Sequence, residues 1–326
     1  MVARNGLFLG LLAFAAWGQT SEKVIYFAHV DTPQALQEFT SMVRSVSDAR
    51  LVSVDVAKRS LTVSGTADQI AVAGWLAAEL DKPGGATGTR DFPLNDPKAP
   101  VTQVIYLSHI DSPRDLQETV NAMRALVDVQ RLFPLNQQKA LVMRGSPEQV
   151  AAADWLIGLL DQPAGSLSAT PPDYRLPQTA WDPRGGLIMR VAVLTHVDAP
   201  QALQDVTNAI RFMTDLTRCF PWGRRVLVIR GNEDQIAMVD WLLKQFNGPA
   251  GQGTKEYKMS GADGKMAQLA YVNAGTPESL KETAAQIRAQ ASALVFPYPA
   301  LHVLAMRGTA DQLARAQQVI QSREGK

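Results

Sequence analysis

Three pairs of residues in this sequence have the types and spacing that acid–base or metal chemistry would use. Each pair is a His followed two residues later by an Asp: His29 and Asp31, His109 and Asp111, and His196 and Asp198. A metal site needs three or four converging ligands, and one such pair supplies only two. We therefore favour a structural interpretation, in which the Asp caps a helix and the His forms a hydrogen bond at a strand end. A composite site between repeats remains the alternative.

The pairs belong to a longer unit that occurs four times. Each unit has a Pro after a run of β-forming residues, at Pro33, Pro113, Pro200 and Pro277. Each later reaches a Gly, at Gly65, Gly145, Gly231 and Gly308, so that 31 or 32 residues separate the two. In the fourth unit Asn273 and Gly275 replace the His and the Asp. Nearly equal spacing with different neighbouring residues indicates duplicated modules.

Each unit predicts the element order β-α-β-β-α. A β-rich run comes first, and the Pro suits the first position of the helix that follows. Two short strands come next. Capping boxes then begin a second helix, at Thr66–Gln69, Ser146–Gln149 and Thr309–Gln312. The predicted class is α+β, with four tandem two-layer modules, each a three-stranded sheet with helices on one face.

The boundaries follow from composition. We place module 1 at 22–83, module 2 at 100–163, module 3 at 187–249 and module 4 at 266–322. The Pro- and Gly-rich linkers are 84–99, 164–186 and 250–265. Each linker contains an aromatic residue in the similar segments TRDFPL, PDYRLP and KEYKMS. This recurrence predicts a short edge strand within each linker.

Composition limits the function. Residues 1–18 have one Arg before an apolar run and read as a signal peptide, which predicts export to the periplasm or cell envelope. We expect no membrane insertion of the mature chain. A net charge of +1 gives no overall attraction to nucleic acid. The lone Cys219 cannot form an internal disulfide and is predicted to be a buried, unreactive thiol.

The repeated motifs resemble the N-terminal periplasmic modules of bacterial secretins. In module 2 the resemblance lies in LVMRGSPEQV at Leu141–Val150 and WLIGLLDQP at Trp155–Pro163. Modules 1 and 3 match through similar segments, whereas module 4 has LAMRGTADQL but lacks the Trp and the D-x-P ending. The resemblance implies a fold related to the KH type, association into rings and no catalysis. Because the sequence ends soon after module 4, at Lys326, we expect no pore-forming β-domain of the secretin kind.

Two further sets of recurring residues are candidates for interaction. An Arg lies 11 residues after each Pro, at Arg44, Arg124, Arg211 and Arg288. A Trp lies 10 residues after the Gly in three modules, at Trp75, Trp155 and Trp241. The Arg residues suit either an ion pair near a helix C-terminus or docking between modules. The Trp residues suit either a broad buried face or packing against a linker strand or the next module.

The sequence therefore predicts a non-enzymatic scaffold that binds proteins, either itself or a component of a secretion or pilus system. We expect no catalytic residues, cofactor or metal, and no nucleic-acid partner. The main alternative is a monomeric envelope protein that binds a peptide or glycan in clefts between modules. An enzyme with a composite His/Asp site is the third hypothesis.

Overall fold

The computed structural model describes most of the chain after the predicted signal peptide, which lies outside the described residues. The described ranges are 21–82, 86–92, 100–163, 165–169, 171–178, 185–197, 199–223, 225–248, 251–259, 265–273 and 276–324. They contain eight α-helices and four small sheets. No helix in these ranges is both long enough and apolar enough to span a membrane.

The helices and strands follow the predicted order in each module. Module 1 contains β1 (Ser21–Tyr26), α1 (Pro33–Ser47), β2 (Leu51–Asp55), β3 (Ser60–Gly65) and α2 (Ala67–Leu80). Module 2 contains β4 (Gly88–Asp91), β5 (Val101–Tyr106), α3 (Pro113–Val127), β6 (Arg131–Leu135), β7 (Ala140–Gly145) and α4 (Pro147–Leu160). The prediction of tandem two-layer modules is confirmed.

Modules 3 and 4 have the same plan. Module 3 contains β8 (Tyr174–Arg175), β9 (Ile188–Val193), α5 (Pro200–Thr214), β10 (Arg218–Trp222), β11 (Val226–Gly231) and α6 (Glu233–Phe246). Module 4 contains β12 (Thr254–Lys258), β13 (Lys265–Tyr271), α7 (Pro277–Ala291), β14 (Leu294–Tyr298), a 3₁₀ turn (Pro299–Leu301), β15 (Val303–Thr309) and α8 (Ala310–Glu324).

The sheets have one more strand than the repeat alone predicts. Their orders are β1-β3-β2, β4-β5-β7-β6, β8-β9-β11-β10 and β12-β13-β15-β14. The additional strands β4, β8 and β12 come from the linkers, which confirms the predicted edge strands. In each module the first and third strands pair antiparallel, and so do the second and third. Both helices cover one face, called here the inner face; the opposite face is the outer face.

The first helix of each module begins differently from our prediction. The residue directly before the Pro is the N-cap, so the preceding Asp lies one position outside the helix. The hydroxyl of Thr32 accepts a hydrogen bond from the Ala35 N–H at 3.2 Å, and Ser112 accepts one from the Asp115 N–H at 3.0 Å. The prediction that Asp31 and Asp111 cap these helices is wrong, because each lies too early to reach the unpaired N–H groups.

The second helices begin with the predicted capping boxes, and the Gln of each box also joins the two helices. Gln69 accepts from the Thr66 N–H at 2.9 Å and donates from Nε2 to the carbonyl of Asp48, at the end of α1, at 2.6 Å. The recurring Gly leaves room for this side chain. A Cβ on Gly65 would lie 2.5 Å from Oε1 of Gln69, which no side chain tolerates without displacement.

The chain forms two compact units. Of the described residues, one unit comprises 21–82, 86 and 90–92, and the other comprises 87–89 and those from 100 onward. Within each module the apolar side chains of the helices and of the inner face form the core. In module 2 that core includes Val120, Met123, Leu141, Met143 and Leu156, all fully buried.

Candidate functional site

The recurring His residues lie at the junction between the first strand and the end of the second helix. In module 1 the backbone N–H groups of Ala28, His29 and Val30 donate to the carboxylate of Asp81 at 2.6, 2.7 and 2.9 Å. Nδ1 of His29 lies 3.0 Å from the Asp81 carbonyl oxygen. One carboxylate therefore holds three backbone donors at a point where the strand has ended.

Module 2 repeats this junction with Asp161. Its carboxylate accepts from the N–H groups of Ser108, His109 and Ile110 at 2.7, 2.7 and 2.8 Å. In module 3 the side chain of Asn247 takes the same place and accepts from His196 at 3.1 Å. The acid that binds the backbone is thus the Asp of the D-x-P ending, 52 residues after the His in modules 1 and 2.

The His-x-Asp pairs do not assemble a metal site in the part of the chain that the structure describes. Asp31 and Asp111 are exposed, and Asp198 lies outside the described residues. No group of three or more His, Cys, Asp or Glu among the described residues could hold a metal ion. The geometry favours the structural interpretation of these residues.

The four recurring Arg residues contact their own modules. Each guanidinium donates to a backbone carbonyl of the second strand: Arg44 to Val52 at 2.7 Å, Arg124 to Leu132 at 2.8 Å, Arg211 to Cys219 at 2.7 Å, and Arg288 to Val295 at 2.8 Å. This bond ties the first helix to the sheet. A docking role for these residues stays a prediction, and the observed bonds favour a role in module stability.

The three recurring Trp residues contact the aromatic residues of the linkers. The ring centroids of Trp75 and Phe92 are 5.6 Å apart, those of Trp155 and Tyr174 5.5 Å, and those of Trp241 and Tyr257 5.4 Å. Such spacing is typical of favourable aromatic pairs. The Trp therefore lies on the flank of the second helix, where the chain leaves its module.

The linker segments that contain Tyr174 and Tyr257 join consecutive modules. We call residues 173–175 and 254–258 the strap strands. Their aromatic side chains pack on the Trp of the preceding module, while their backbones pair with the first strand of the next, β9 or β13. One short segment thus contacts two modules at once.

An acid directly before each aromatic residue fixes the strap strand to the next module. Asp173 accepts two hydrogen bonds from Arg190, at 2.7 and 2.6 Å. Arg190 also pairs with Asp240 on α6. The hydrogen bonds to Asp173 raise the pKa of Arg190 above its usual value against the opposing effect of burial, and Asp240 adds to the rise. In module 4 Glu256 accepts from Gln268 at 3.0 Å.

A second contact between consecutive modules places the first helix of one on the outer face of the next. Helix α3 of module 2 packs on β10 and β11 of module 3, and Val191 and Val228 of that face join the core of module 2. Nε1 of Trp222 donates to the hydroxyl of Thr119 at 3.0 Å, and the Gly223 N–H donates to Glu118 at 2.9 Å.

An ion pair marks the end of this helix-on-sheet contact. Asp128, which follows α3 with a φ of 59°, lies 2.6 Å from Arg218 and 2.7 Å from Arg230. Arg230 is only 8% exposed and also donates to the carbonyl of Leu126. The guanidinium therefore satisfies a carbonyl that the helix end leaves unpaired.

Modules 3 and 4 make the same contact with the same residue types. Arg307 donates to the carboxylate of Asp215 at 2.7 and 2.8 Å and to the carbonyl of Met213 at 3.0 Å. Phe212 and Phe296 pack nearby, with centroids 5.8 Å apart. The junctions between modules 2 and 3 and between modules 3 and 4 thus share an Asp–Arg pair and an Arg that donates to a carbonyl at the helix end.

The corresponding surfaces at the first and last modules are different. The outer face of module 1 carries the polar residues Ser53, Thr62 and Ser64, with Ser64 at the position of Arg230 and Arg307. The same face carries the exposed apolar side chains of Val24, Tyr26 and Leu51. In module 4 the helix positions that match Ala122 and Leu126 hold Gln286 and Gln290, both exposed. Module 4 also has Ser292 after the helix in place of the Asp, and its Glu282 pairs with Arg323 at 2.9 Å.

Two cavities lie in module 4. One, of about 510 Å³, is bordered by Thr283, Gln286 and Gln290 of α7 and by Arg323 of α8. The other, of about 880 Å³, lies beside Tyr271 and His302. Both have polar walls, and neither contains a cluster of acids and His residues.

The sequence did not identify the residues of the ion pairs. An Asp after the first helix and an Arg before the recurring Gly are both visible as repeats, but the two partners come from different modules. Asp128 and Arg230 are 102 residues apart. The acid before each linker aromatic is also visible in the sequence, and its partner is not.

Comparison with known proteins adds similarities of fold at low scores. No protein-family model and no curated protein sequence matches the chain. The N-terminal domain of the secretin XcpQ from Pseudomonas aeruginosa is 16% identical, with a TM-score of 0.20, over 44% of this chain and 63% of that one. This chain therefore spans less than two thirds of that protein's length.

Two other solved structures are similar to the chain at comparable scores. Aeromonas hydrophila ExeD is 13% identical, with a TM-score of 0.17, over 89% of this chain and 59% of that one. The protein of unknown function APE0754 from Aeropyrum pernix is 12% identical, with a TM-score of 0.23, over 45% and 82%. At such TM-scores the similarities carry no argument about function.

Proposed function

We propose that this protein is a non-enzymatic scaffold, built of secretin-N-like modules, that works in the cell envelope by binding other proteins. The observation that carries the proposal is the contact that recurs between modules 2 and 3 and between modules 3 and 4. In both, an apolar helix face lies on the outer face of a sheet, and an Asp–Arg pair closes its edge. These contacts join one module to another within the chain, and the proposal extends the same kind of recognition to a partner protein.

The sequence resemblance and the predicted signal peptide support the location. An exported protein whose motifs resemble secretin N-terminal modules is expected in the periplasm, in contact with a secretion or pilus system. The docking proposal requires no catalytic group, cofactor or metal.

We infer that the partner is a different protein rather than a stack of identical copies. Stacking copies would place α7 of one copy on the outer face of module 1 of the next. That junction would set Gln286, Gln290 and Ser292 against a face that carries Ser53, Thr62 and Ser64 beside the exposed Val24, Tyr26 and Leu51, so it would lack the ion pair and the apolar helix face of the internal junctions. The helix face of module 4 is polar, as the outermost surface of a repeat array typically is.

Sedimentation of the mature chain, from residue 19 onward, tests this inference. We expect a monomer at all concentrations. A variant with Ser64→Arg, Gln286→Ala, Gln290→Leu and Ser292→Asp restores the residue types of the internal junctions, and we expect it to form head-to-tail oligomers. A large oligomer of the unaltered chain would contradict the inference.

Deletion of the gene tests the function. We expect loss of secreted proteins or of pili, and recovery when the unaltered chain is supplied. Arg230→Glu, expressed at the same level, should fail to restore them because the charge reversal breaks a junction between modules. Unchanged secretion and piliation in the deletion strain would overturn the link to those systems.

A further inference from the structure

The strap strands use one arrangement to cover the exposed edge of a sheet. In modules 3 and 4 a polar residue of the first strand, Arg190 or Gln268, points its side chain to the inner face. The two residues occupy equivalent positions, each opposite the residue two before the recurring Gly. A carboxylate from the strap strand binds each of them, Asp173 in one case and Glu256 in the other. Glu256 lies directly opposite Gln268 in the strand pairing.

Module 1 has the same edge without such a strand. Among the described residues, β1 pairs only with β3. Its outward edge therefore has backbone N–H and C=O groups available for pairing, as any sheet edge does. Val24 and Tyr26 of this strand, whose side chains lie on the outer face, are 44% and 68% exposed.

Lys23 of module 1 occupies the strand position that Arg190 occupies in module 3. Lys23 is opposite Val63 on the central strand, as Arg190 is opposite Ile229. Its ammonium turns to the inner face, since a Cβ on Gly74 would lie 3.2 Å from Nζ. Gly74 itself occupies the helix position of Asp240, so the helix offers Lys23 no carboxylate.

We propose that the edge of β1 binds an extended, acidic segment of a partner protein. The segment would pair with the β1 backbone as an additional strand, and an Asp or Glu side chain would bind Lys23 as Asp173 binds Arg190. Addition of a strand to an open edge is a recurrent mode of peptide recognition, in which the backbone gives affinity and side chains give specificity. This proposal rests on the proposed docking function and specifies one class of partner.

Two groups of segments within this chain do not fit the edge. Residues 1–20, which precede β1, contain no Asp or Glu. The strap strands at 173–175 and 254–258 are already bound within the chain. Pairing β1 with β1 of a second copy would bring two Lys23 ammonium groups onto one face, where like charges repel. An inward-pointing charge of this kind is a known protection against such pairing.

A tethered strand tests the proposal in the full mature chain. The segment TKEYKMSGADG, residues 254–264, and Lys265 would be fused directly before Ser21, because Ser21 lies opposite Gly65 as Met266 lies opposite Gly308. Its Glu would then lie opposite Lys23. Hydrogen exchange of the amides of β1 measures whether the strand pairs. We expect exchange to slow by a factor of about ten, since one charge-assisted hydrogen bond is worth that much.

Three variants separate acid recognition from pairing alone. Glu→Gln in the fused segment and Lys23→Ala should each remove most of the slowing. Combining Glu→Lys in the segment with Lys23→Glu should restore it. Exchange as fast as in the unfused chain would overturn the proposal, and so would equal slowing in all variants, since the edge would then not select an acid.

The hydrogen-exchange result for the fused strand is independent of the gene-deletion test of the proposed function. Failure of the fused strand to pair would remove this binding site and leave a docking scaffold that uses other surfaces. Unchanged secretion and piliation in the deletion strain would remove the proposed pathway, even where the fused strand pairs.

Discussion

Asp215, at the end of α5, accepts hydrogen bonds from both terminal nitrogens of Arg307, 92 residues later in the chain, at 2.7 and 2.8 Å. The same Arg donates to the carbonyl of Met213. The pair therefore joins the helix end of module 3 to the sheet of module 4. The two hydrogen bonds form a bidentate ion pair, which Arg can make with a carboxylate and Lys cannot.

We expect this pair to stabilise the junction measurably. In a double-mutant cycle of Asp215→Asn and Arg307→Met, read from urea unfolding, the coupling should be about 1 kcal/mol, because Asp215 is largely exposed. Arg307→Lys should recover only part of it. A coupling near zero would mean that the apolar contact alone holds the junction.

The Trp–Tyr contact should hold the strap strand of module 3 in place. Trp155→Ala should speed hydrogen exchange at residues 173–175 and weaken folding by about 1–2 kcal/mol, since an aromatic pair and part of a buried surface are lost. Trp241→Ala is the matched control, because it removes the equivalent contact at module 4 and should leave residues 173–175 unchanged. Protection at 173–175 that survives Trp155→Ala would show that backbone pairing is sufficient.

The carboxylate at the end of α4 should matter more than the acid of the His-x-Asp pair. Asp161→Ala leaves three backbone donors without their acceptor and should cost about 2–3 kcal/mol of unfolding free energy. Asp111→Ala, in the same module and exposed, should stay within about 0.5 kcal/mol. Thermal unfolding of the two variants side by side measures this. A larger loss of unfolding free energy for Asp111→Ala than for Asp161→Ala would contradict this prediction and favour a role for the His109–Asp111 pair.

The Arg of the first helix should act within its module. Arg124→Met removes the bond to the Leu132 carbonyl and should lower the free energy of unfolding by about 1–2 kcal/mol. Sedimentation should not change. A variant that folds as stably as the original chain but associates differently would support the docking role instead.

Alkaline pH should lower the free energy of unfolding of module 3 through ionisation of the buried Cys219 thiol. Burial raises the pKa of Cys219 to about 12 from a usual value of 9.0, so the folded state keeps a proton that the unfolded state loses. The associated stability is complete below pH 9 and is lost as the pH rises from 9 towards 12. Tyr298, whose pKa burial also raises to about 12, acts in the same direction above pH 10.

Urea unfolding below pH 9 and again between pH 9 and 12 measures the effect. Cys219→Ala should lower stability at both pH values, because it leaves a cavity, but should show a smaller decline with pH. An equal decline in the variant would assign the pH dependence to other groups.

Much of the fold could be predicted because it depends on local signals. The Pro at the first helical position, the capping boxes and the runs of β-forming residues act within a few positions of one another, so each module could be predicted from its own residues. The linker aromatic residues predicted edge strands correctly. The exact N-cap was missed because Asp31 and Thr32 are both good caps, and one residue of register decides between them.

The sequence by itself determined the element order of the modules, their repetition and the residue types at each position, because these follow from local propensity and periodicity. Only the tertiary structure decided which Asp meets which Arg and which module each strap strand joins. Asp128 and Arg230 come from different modules, and no local rule connects residues 102 positions apart. Their pairing depends on how one module's helix lies on the next module's sheet, and packing of whole surfaces sets that arrangement.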